Sequence, residues 1–219
     1  MRIRGRRRCT DCGHEWSYFD TGEVACPDCG SLRSVGTGER QRHTDNPIQL
    51  DLSAHRHALD PATDLGDVAD DLKSTLREYV RKRGFVRGGD LRTVDETVLA
   101  AAVRLYVLDL LGGADGGDRP EPDAVPTAMA DARGLAYADV LDDFCADLGT
   151  WLDDHPDPAG ARVRETLKTH VTRVDAVYGD VPVAESEALV RAARELVTYL
   201  TEGDETALAA CEDRLSRLG

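Results

Sequence analysis

The stretch that decides the N-terminal fold is Cys9-Thr10-Asp11-Cys12-Gly13 together with Cys26-Pro27-Asp28-Cys29-Gly30. It contains two Cys-x-x-Cys pairs separated by 13 residues, which is the spacing of a four-thiolate zinc ribbon. Two thiolates in such a turn face one metal, and the glycine that follows allows positive φ where the chain turns away. We therefore predict that one Zn²⁺ per chain is bound by Cys9, Cys12, Cys26 and Cys29.

The first 40 residues contain few large apolar side chains, so they cannot bury a core that would keep them folded. Metal binding contributes roughly 10–16 kcal/mol to the folding of small zinc-finger peptides. A bound metal would supply the folding free energy that this segment lacks. On this basis we predict a small N-terminal β zinc ribbon over residues 1–40.

Two other chemistries are compatible with paired cysteines. Two disulfide bonds would require an oxidising compartment, and the sequence shows no signal peptide. Four thiolates also bind iron in rubredoxin-like electron carriers, and spacing alone does not separate iron from zinc. Zinc is the predicted metal, and an iron-containing electron carrier stays open as a remote alternative.

An aromatic segment, Glu15–Phe19, lies between the two knuckles and is predicted to form a strand. Since side chains alternate along a strand, Trp16 and Tyr18 would share one face. That face has two interpretations. In the first, the face stacks on a base or binds a partner. In the second, Trp16 covers the metal site, and we favour this one because few other side chains in the segment could cover it.

Positive charge is concentrated at the start of the chain. Residues 1–42 contain eight arginines and six acids, a net charge of +2, which leaves −16 for residues 43–219. Arg6, Arg7 and Arg8 are adjacent to the first knuckle, where they would contact phosphate groups or balance the charge of a metal–thiolate centre. Both interpretations stay open.

The motifs Cys-x-x-Cys-Gly-His-x-Trp over residues 9–16 and Cys-Pro-Asp-Cys-Gly-Ser over residues 26–31 resemble the ribbons of transcription initiation factor B. The block of residues 1–40 is also similar to uncharacterised ribbon proteins of salt-loving archaea. The resemblance implies that the four cysteines are metal ligands, and it suggests nucleic acid or the transcription machinery as a partner. The remainder shows no cyclin-like repeat, so the initiation-factor role does not follow.

The composition favours a halophilic protein. The net charge is −14, and 28 aspartates stand against only three lysines. An acidic surface nearly free of lysine keeps a protein soluble in concentrated salt, where the Debye length shrinks to ~3 Å. The longest apolar run, Val98–Leu111, contains Arg104 and Asp109, so we expect no membrane span and a cytoplasmic location.

The rest of the chain predicts an acidic, all-α domain. Residues 41–60 are assigned to a linker with an extended segment, and residues 61–219 to a bundle of six or seven amphipathic helices. A Gly/Asp/Pro loop is predicted over 112–126, followed by a short helix over 128–133 that ends before Gly134. Cys145 and Cys211 lie on apolar stripes and are predicted to be buried hydrophobic residues.

One part of this domain is basic. Between Arg77 and Arg92 there are six bases and two acids, and we call this segment the basic hinge. As a hypothesis, it contacts a phosphate, a nucleic acid or an acidic protein. The residues proposed for that contact are Arg81, Lys82, Arg83 and Arg87.

No enzyme motif is present: there is no P-loop, no Gly-x-Ser-x-Gly and no His-Glu-x-x-His, so we expect neither catalysis nor a small-molecule substrate. Two main function classes follow. The first is an accessory or regulator in transcription or another nucleic-acid process. The second is a protein–protein adaptor in which the zinc is purely structural.

Overall fold

The computed structural model describes residues 1–58, 65–111 and 121–218. These residues form a mainly α protein with a small strand region at its N-terminus, which confirms the predicted fold class. In the described residues there are eight helices, and six of them are long. The elements are β1 (Arg2–Cys9), β2 (Glu15–Ser17), α1 (Tyr18–Thr21), β3 (Ser34–Arg42), α2 (Ser53–His57), α3 (Leu65–Lys82), β4 (Val86–Arg87), β5 (Asp90–Leu91), α4 (Glu96–Leu111), α5 (Val125–Leu152), α6 (Pro158–Ala176), α7 (Val183–Glu202) and α8 (Glu205–Ser216).

The ribbon, residues 1–42, is built on a three-stranded antiparallel sheet of order β2-β1-β3. Its buried core among the described residues consists of Cys9, Trp16 and Cys26. A core of one aromatic ring and two cysteines removes too little apolar surface from water to hold three strands together. The sheet therefore depends on whatever joins the cysteines.

The aromatic segment is only partly a strand. The prediction of a strand over Glu15–Phe19 is wrong beyond Ser17, where the chain enters the one-turn helix α1. Gly22 ends α1 with φ 68°, and its N–H donates to the carbonyl of Tyr18. Trp16 and Tyr18 therefore belong to different elements and do not share a sheet face.

The helical body, α3 to α8, is organised around α5, which packs against α4, α6 and α7. The α5 residues Leu141, Phe144 and Leu148 are fully buried. Cys145 and Cys211 are buried in the same core, where burial is the main reason that the pKa of each thiol rises to about 12. In the described ranges, no helix has both the length and the apolar character needed to cross a membrane.

Gly134 does not interrupt a helix, although the sequence predicts a break there. α5 runs without interruption through that position. A Cβ on Gly134 would lie 2.3 Å from the carbonyl oxygen of Gly179, so the glycine serves a close backbone approach between α5 and the turn after α6. The predicted short helix over 128–133 is therefore the first part of α5.

The ribbon and the body are joined by a packed segment. β3 extends to Arg42, and His43 and Asp45 behind it are buried. Thr44 pairs with Val86 through its N–H, 2.8 Å from the Val86 carbonyl oxygen. The predicted start of the helical domain at residue 61 lies outside the described residues, and so do residues 112–120 of the loop predicted over 112–126. The last two residues of that predicted loop, 125 and 126, belong to α5.

An aromatic side chain fills the contact between the two parts. The ring of Phe19 leaves no space for a Cβ on Gly5 of β1 or on Gly88 of the β4–β5 hairpin, where the distances would be 2.0 and 2.8 Å. His43 lies against the same ring, at 4.7 Å between ring centroids. The ribbon is thus seated on the hairpin through aromatic packing.

Candidate functional site

The four predicted ligands converge. The sulfurs of Cys9, Cys12, Cys26 and Cys29 all lie within 4.8 Å of one another. Cys9 Sγ is 3.7 Å from Cys29 Sγ, and Cys12 Sγ is 3.6 Å from Cys26 Sγ. A tetrahedral ion with metal–sulfur bonds of about 2.3 Å places its ligands about 3.8 Å apart. The sulfur positions fit one tetrahedral metal, and they are too far apart for disulfide bonds.

Backbone groups prepare the site for anionic sulfur. The N–H of Cys12 is the main influence on the Cys9 thiol and lowers its pKa to about 7. For Cys12, the N–H of His14 acts in the same direction, but burial and the three neighbouring sulfurs together raise its pKa to about 12. Four thiolates cannot share this volume without a cation among them, so the donor set suits a divalent metal.

Trp16 lies in one buried cluster with two of the four cysteines, Cys9 and Cys26, in agreement with the favoured interpretation. Its side chain is only 8% exposed, and its indole N–H donates to the carbonyl of Glu23 at 3.0 Å. The indole is therefore unavailable for stacking on a base. His14 is exposed and lies against the indole, at 6.3 Å between ring centroids.

The basic arm is part of the sheet. Arg6, Arg7 and Arg8 all belong to β1, with Arg6 and Arg8 exposed and Arg7 half-buried. Arg7 donates through Nε and Nη2 to Ser34 Oγ, at 3.1 and 2.8 Å. Arg8 lies 4.0 Å from Glu15, at the limit of an ion pair. Within the part of the chain that the structure describes, Arg6 and Arg7 have no carboxylate partner.

The basic hinge has a different arrangement, because two of its cations surround a buried carboxylate. Asp45 is 0% exposed. Its oxygens lie 2.9 Å from Arg83 Nη1 and 2.6 Å from Arg87 Nη2. Arg83 also pairs with Asp95, at 2.6 Å. Arg83 and Arg87 therefore hold the ribbon connection on the body.

The other two hinge candidates point outwards. Lys82 pairs with Glu78 of the preceding helical turn, 2.6 Å away. Arg81 is exposed and has no ion pair among the residues described. The four predicted contact residues are thus divided among an internal network (Arg83 and Arg87), a surface ion pair (Lys82 with Glu78) and one exposed arginine (Arg81).

Sequence reasoning missed the residues that complete both clusters. Asp45 lies in a predicted linker, and no local pattern marks it as the partner of the hinge. Arg40 is absent from the predicted contacts, yet it lies directly opposite Arg4 of the basic N-terminal arm across β1 and β3. The sequence does show alternating arginines in one predicted strand and a basic residue further along the chain. It does not show the register between β1 and β3, which is what places them opposite each other.

An open groove runs over the ribbon beside these arginines. Its volume is about 390 Å³, and Tyr18 contributes an aromatic ring to its wall. We call this feature the ribbon groove. It is lined by Met1, Arg2, Ile3, Arg4, Arg7, Tyr18, Val24, Gly36 and Arg40.

Fold and site together define a mainly α protein with an N-terminal ribbon whose four cysteines are able to hold a metal. The Family of unknown function (DUF7117) matches residues 1–104 and 102–215, and the chain belongs to that family.

Among curated proteins, the hydrogenase maturation factor HypA of Chlorobium luteolum is 61% identical over 31 residues. The aligned part is 14% of this chain and 26% of HypA, so the chain spans about a quarter of that relative's length. The similarity therefore concerns a short segment. No solved structure matches this chain.

Proposed function

We propose that this protein is a non-catalytic zinc-ribbon protein that contacts nucleic acid, acting as an accessory or regulator in transcription or another nucleic-acid process. One observation carries the proposal. Within the described residues, four ribbon arginines have no carboxylate partner, and all of them lie on β1 and β3 of one small sheet. These residues are Arg4, Arg6, Arg7 and Arg40.

Zinc is the metal that this proposal requires at the four-cysteine site. Zn²⁺ has no preferred geometry of its own, accepts four thiolates in a tetrahedron, and does not take part in redox chemistry. A closed set of four protein ligands leaves no open position for a substrate, which is typical of a structural site. The metal would thus hold the sheet that presents the arginines.

The uneven distribution of charge supports nucleic acid as the partner. The ribbon's formal charge of +2 is offset by the −2 of a zinc–tetrathiolate centre, so the arginines of β1 and β3 form a local basic patch on a nearly neutral ribbon, whereas the rest of the chain carries a net charge of −16. Phosphate groups are attracted to such a patch, and the acidic body would be kept away from the polyanion. In concentrated salt, counterion release adds little affinity, so geometry and stacking must contribute.

A second candidate is the protein–protein adaptor. The ribbon exposes large apolar side chains that a protein partner would cover: Leu32 is 74% exposed and Val35 is 50% exposed. On this proposal the metal is purely structural and nucleic acid plays no part.

The metal is tested first. Protein produced under reducing, metal-replete conditions is expected to contain one zinc per chain by elemental analysis and to lack visible colour. An absorbing iron–thiolate centre would favour the electron carrier, and no bound metal would overturn the proposal.

The partner is tested by co-purification of the tagged full chain in high KCl, with and without nuclease. Co-purified proteins that are lost after nuclease treatment, together with bound nucleic acid in the untreated sample, support the proposed function. Proteins that stay bound after nuclease treatment, in a sample without nucleic acid, would favour the adaptor.

A further inference from the structure

The ribbon sheet contains two pairs of arginines that face each other across strands. Arg2 is opposite Arg42, and Arg4 is opposite Arg40, in the antiparallel pairing of β1 with β3. Like charges directly opposite each other destabilise a sheet. A nearby negative charge would reduce the repulsion within each of these two pairs.

The body supplies that counter-charge for the first pair. Asp154, two residues beyond the end of α5, pairs with Arg2 and lies 3.0 Å from Arg42 Nε. The second pair receives none from the residues described. Arg4 Nη1 donates to the carbonyl of Gly38, and the Arg40 side chain has no hydrogen bond or ion pair with any residue that the structure describes. The sheet thus carries an uncompensated pair of positive charges on one side of the ribbon groove.

The groove also positions these charges and adds apolar surface. Ser34 Oγ holds Arg7 through two of its nitrogens, and this hydroxyl is a neutral acceptor that leaves the positive charge available. The same groove is lined by Met1, Ile3, Val24 and the ring of Tyr18. An anion alone would not need this apolar wall, whereas a nucleotide presents both a phosphate and a flat apolar base.

We infer that the ribbon groove binds single-stranded nucleic acid, with phosphate between Arg4 and Arg40 and an unstacked base against Tyr18. This inference rests on the proposed function and specifies its site and ligand. A volume of about 390 Å³ suits one nucleotide unit. A duplex keeps its bases stacked inside and would leave the aromatic wall unused.

The inference predicts a salt dependence. Arg4, Arg7 and Arg40 carry three positive charges and would displace about three counterions from the strand, so the logarithm of the binding constant should fall with the logarithm of salt concentration with a slope of about −2. Replacing one of the three by a neutral residue, as in Arg40→Gln, should reduce that slope by about 0.7.

The test uses the full-length, zinc-loaded protein and fluorescence anisotropy with a labelled 20-nucleotide DNA, the same sequence as RNA, and the corresponding duplex. Arg40→Glu is expected to abolish binding to both single strands. Its control is Arg33→Glu, which makes the same charge change in the ribbon, outside the groove, at a side chain that is 80% exposed and is paired with Asp11 on the surface. The control should bind as the wild type does. Tyr18→Leu should weaken single-strand binding about tenfold.

The unfolding midpoint of Arg40→Glu shows whether a loss of binding comes from a loss of folding. Arg40→Glu replaces a repulsive pair by an opposite-charge pair with Arg4, so its unfolding midpoint should rise while its binding is lost. A fall in the midpoint would show that Arg40 has a structural role and would overturn the assignment of this pair to a ligand.

The outcomes distinguish this inference from the proposed function. Wild-type protein that binds no nucleic acid would overturn both. Wild-type binding that is equal in Arg40→Glu, or lost equally in Arg33→Glu, would overturn the groove alone. Binding to the duplex as tight as to the single strands would also overturn it, and the proposed contact with nucleic acid would stand.

Discussion

Two arginine clusters of this chain resemble each other in sequence and differ in the structure. In the basic hinge, Arg83 and Arg87 surround the buried carboxylate of Asp45. In the ribbon, Arg4 and Arg40 face each other without a carboxylate in the described part of the chain. The first cluster is neutralised inside the protein, and the second remains available to an external anion.

The difference shows that the local density of arginine does not indicate its role. What decides the role is whether the fold brings a carboxylate from elsewhere in the chain. Asp45 is about 40 residues before the arginines that it neutralises. The sequence of the basic hinge alone therefore suggests that its arginines have no carboxylate partner, although two of them do.

The largest effect is expected from losing the metal. Cys26→Ser removes a buried ligand from a ribbon that has almost no apolar core, so β1 to β3 should unfold and the ribbon arginines should lose their arrangement. Hydrogen exchange should show β1–β3 amides unprotected while α5–α7 amides stay protected. The control is Cys145→Ala, which should keep the metal. Ribbon amides that stay protected in metal-free protein would contradict this.

A second large effect should follow from Asp45→Asn, which removes the internal counter-charge of the hinge. Breaking a buried ion pair typically costs 3–5 kcal/mol, because it leaves uncompensated charge in the interior. Urea unfolding followed by circular dichroism measures the loss. Glu15→Gln removes the partner of the exposed Arg8 and should change stability little. If Asp45→Asn and Glu15→Gln reduced the free energy of unfolding equally, the buried ion pairs of the hinge would be no more important for stability than the exposed pair of the ribbon.

A smaller loss of stability is expected when an arginine of the ribbon loses its carboxylate partner. Asp154→Asn releases Arg2 and weakens the hold on Arg42. The loss of stability should be less than that of Asp45→Asn, since Asp154 is partly exposed. Arg2 lines the ribbon groove, so the salt slope for single strands should steepen by about 0.7. An unchanged slope would show that Arg2 does not reach the ligand.

The smallest effect on stability is expected from the protonation of His43, which lies between the ribbon and the helical body. Burial is the main reason that the pKa of His43 lies below 6.5, opposed by Asp45 and reinforced by Arg87. Because the unfolded chain takes up a proton first, stability is complete above pH 6.5 and falls as the pH drops below that value. His43→Phe should reduce this decline in urea unfolding between pH 7.5 and 5. A decline as steep as that of the wild type would contradict the assignment.

The sequence predicts those features that depend on residue spacing. The cysteine pairs, the indole of Trp16 beside them and the apolar stripes of Cys145 and Cys211 are local patterns, and each is found where the spacing places it. Gly134 shows the limit, because its role depends on a backbone approach by Gly179 that no periodicity reveals. The register that sets Arg4 opposite Arg40 is likewise a property of the folded sheet.

The buried position of Asp45 also determines where the chain can be divided. A recombinant fragment that starts at residue 61 would omit Asp45, so Arg87 would lose its carboxylate partner and Arg83 would keep only Asp95. Expression of the helices on their own should therefore start ahead of His43, so that the fragment includes the last few residues that connect it to the ribbon.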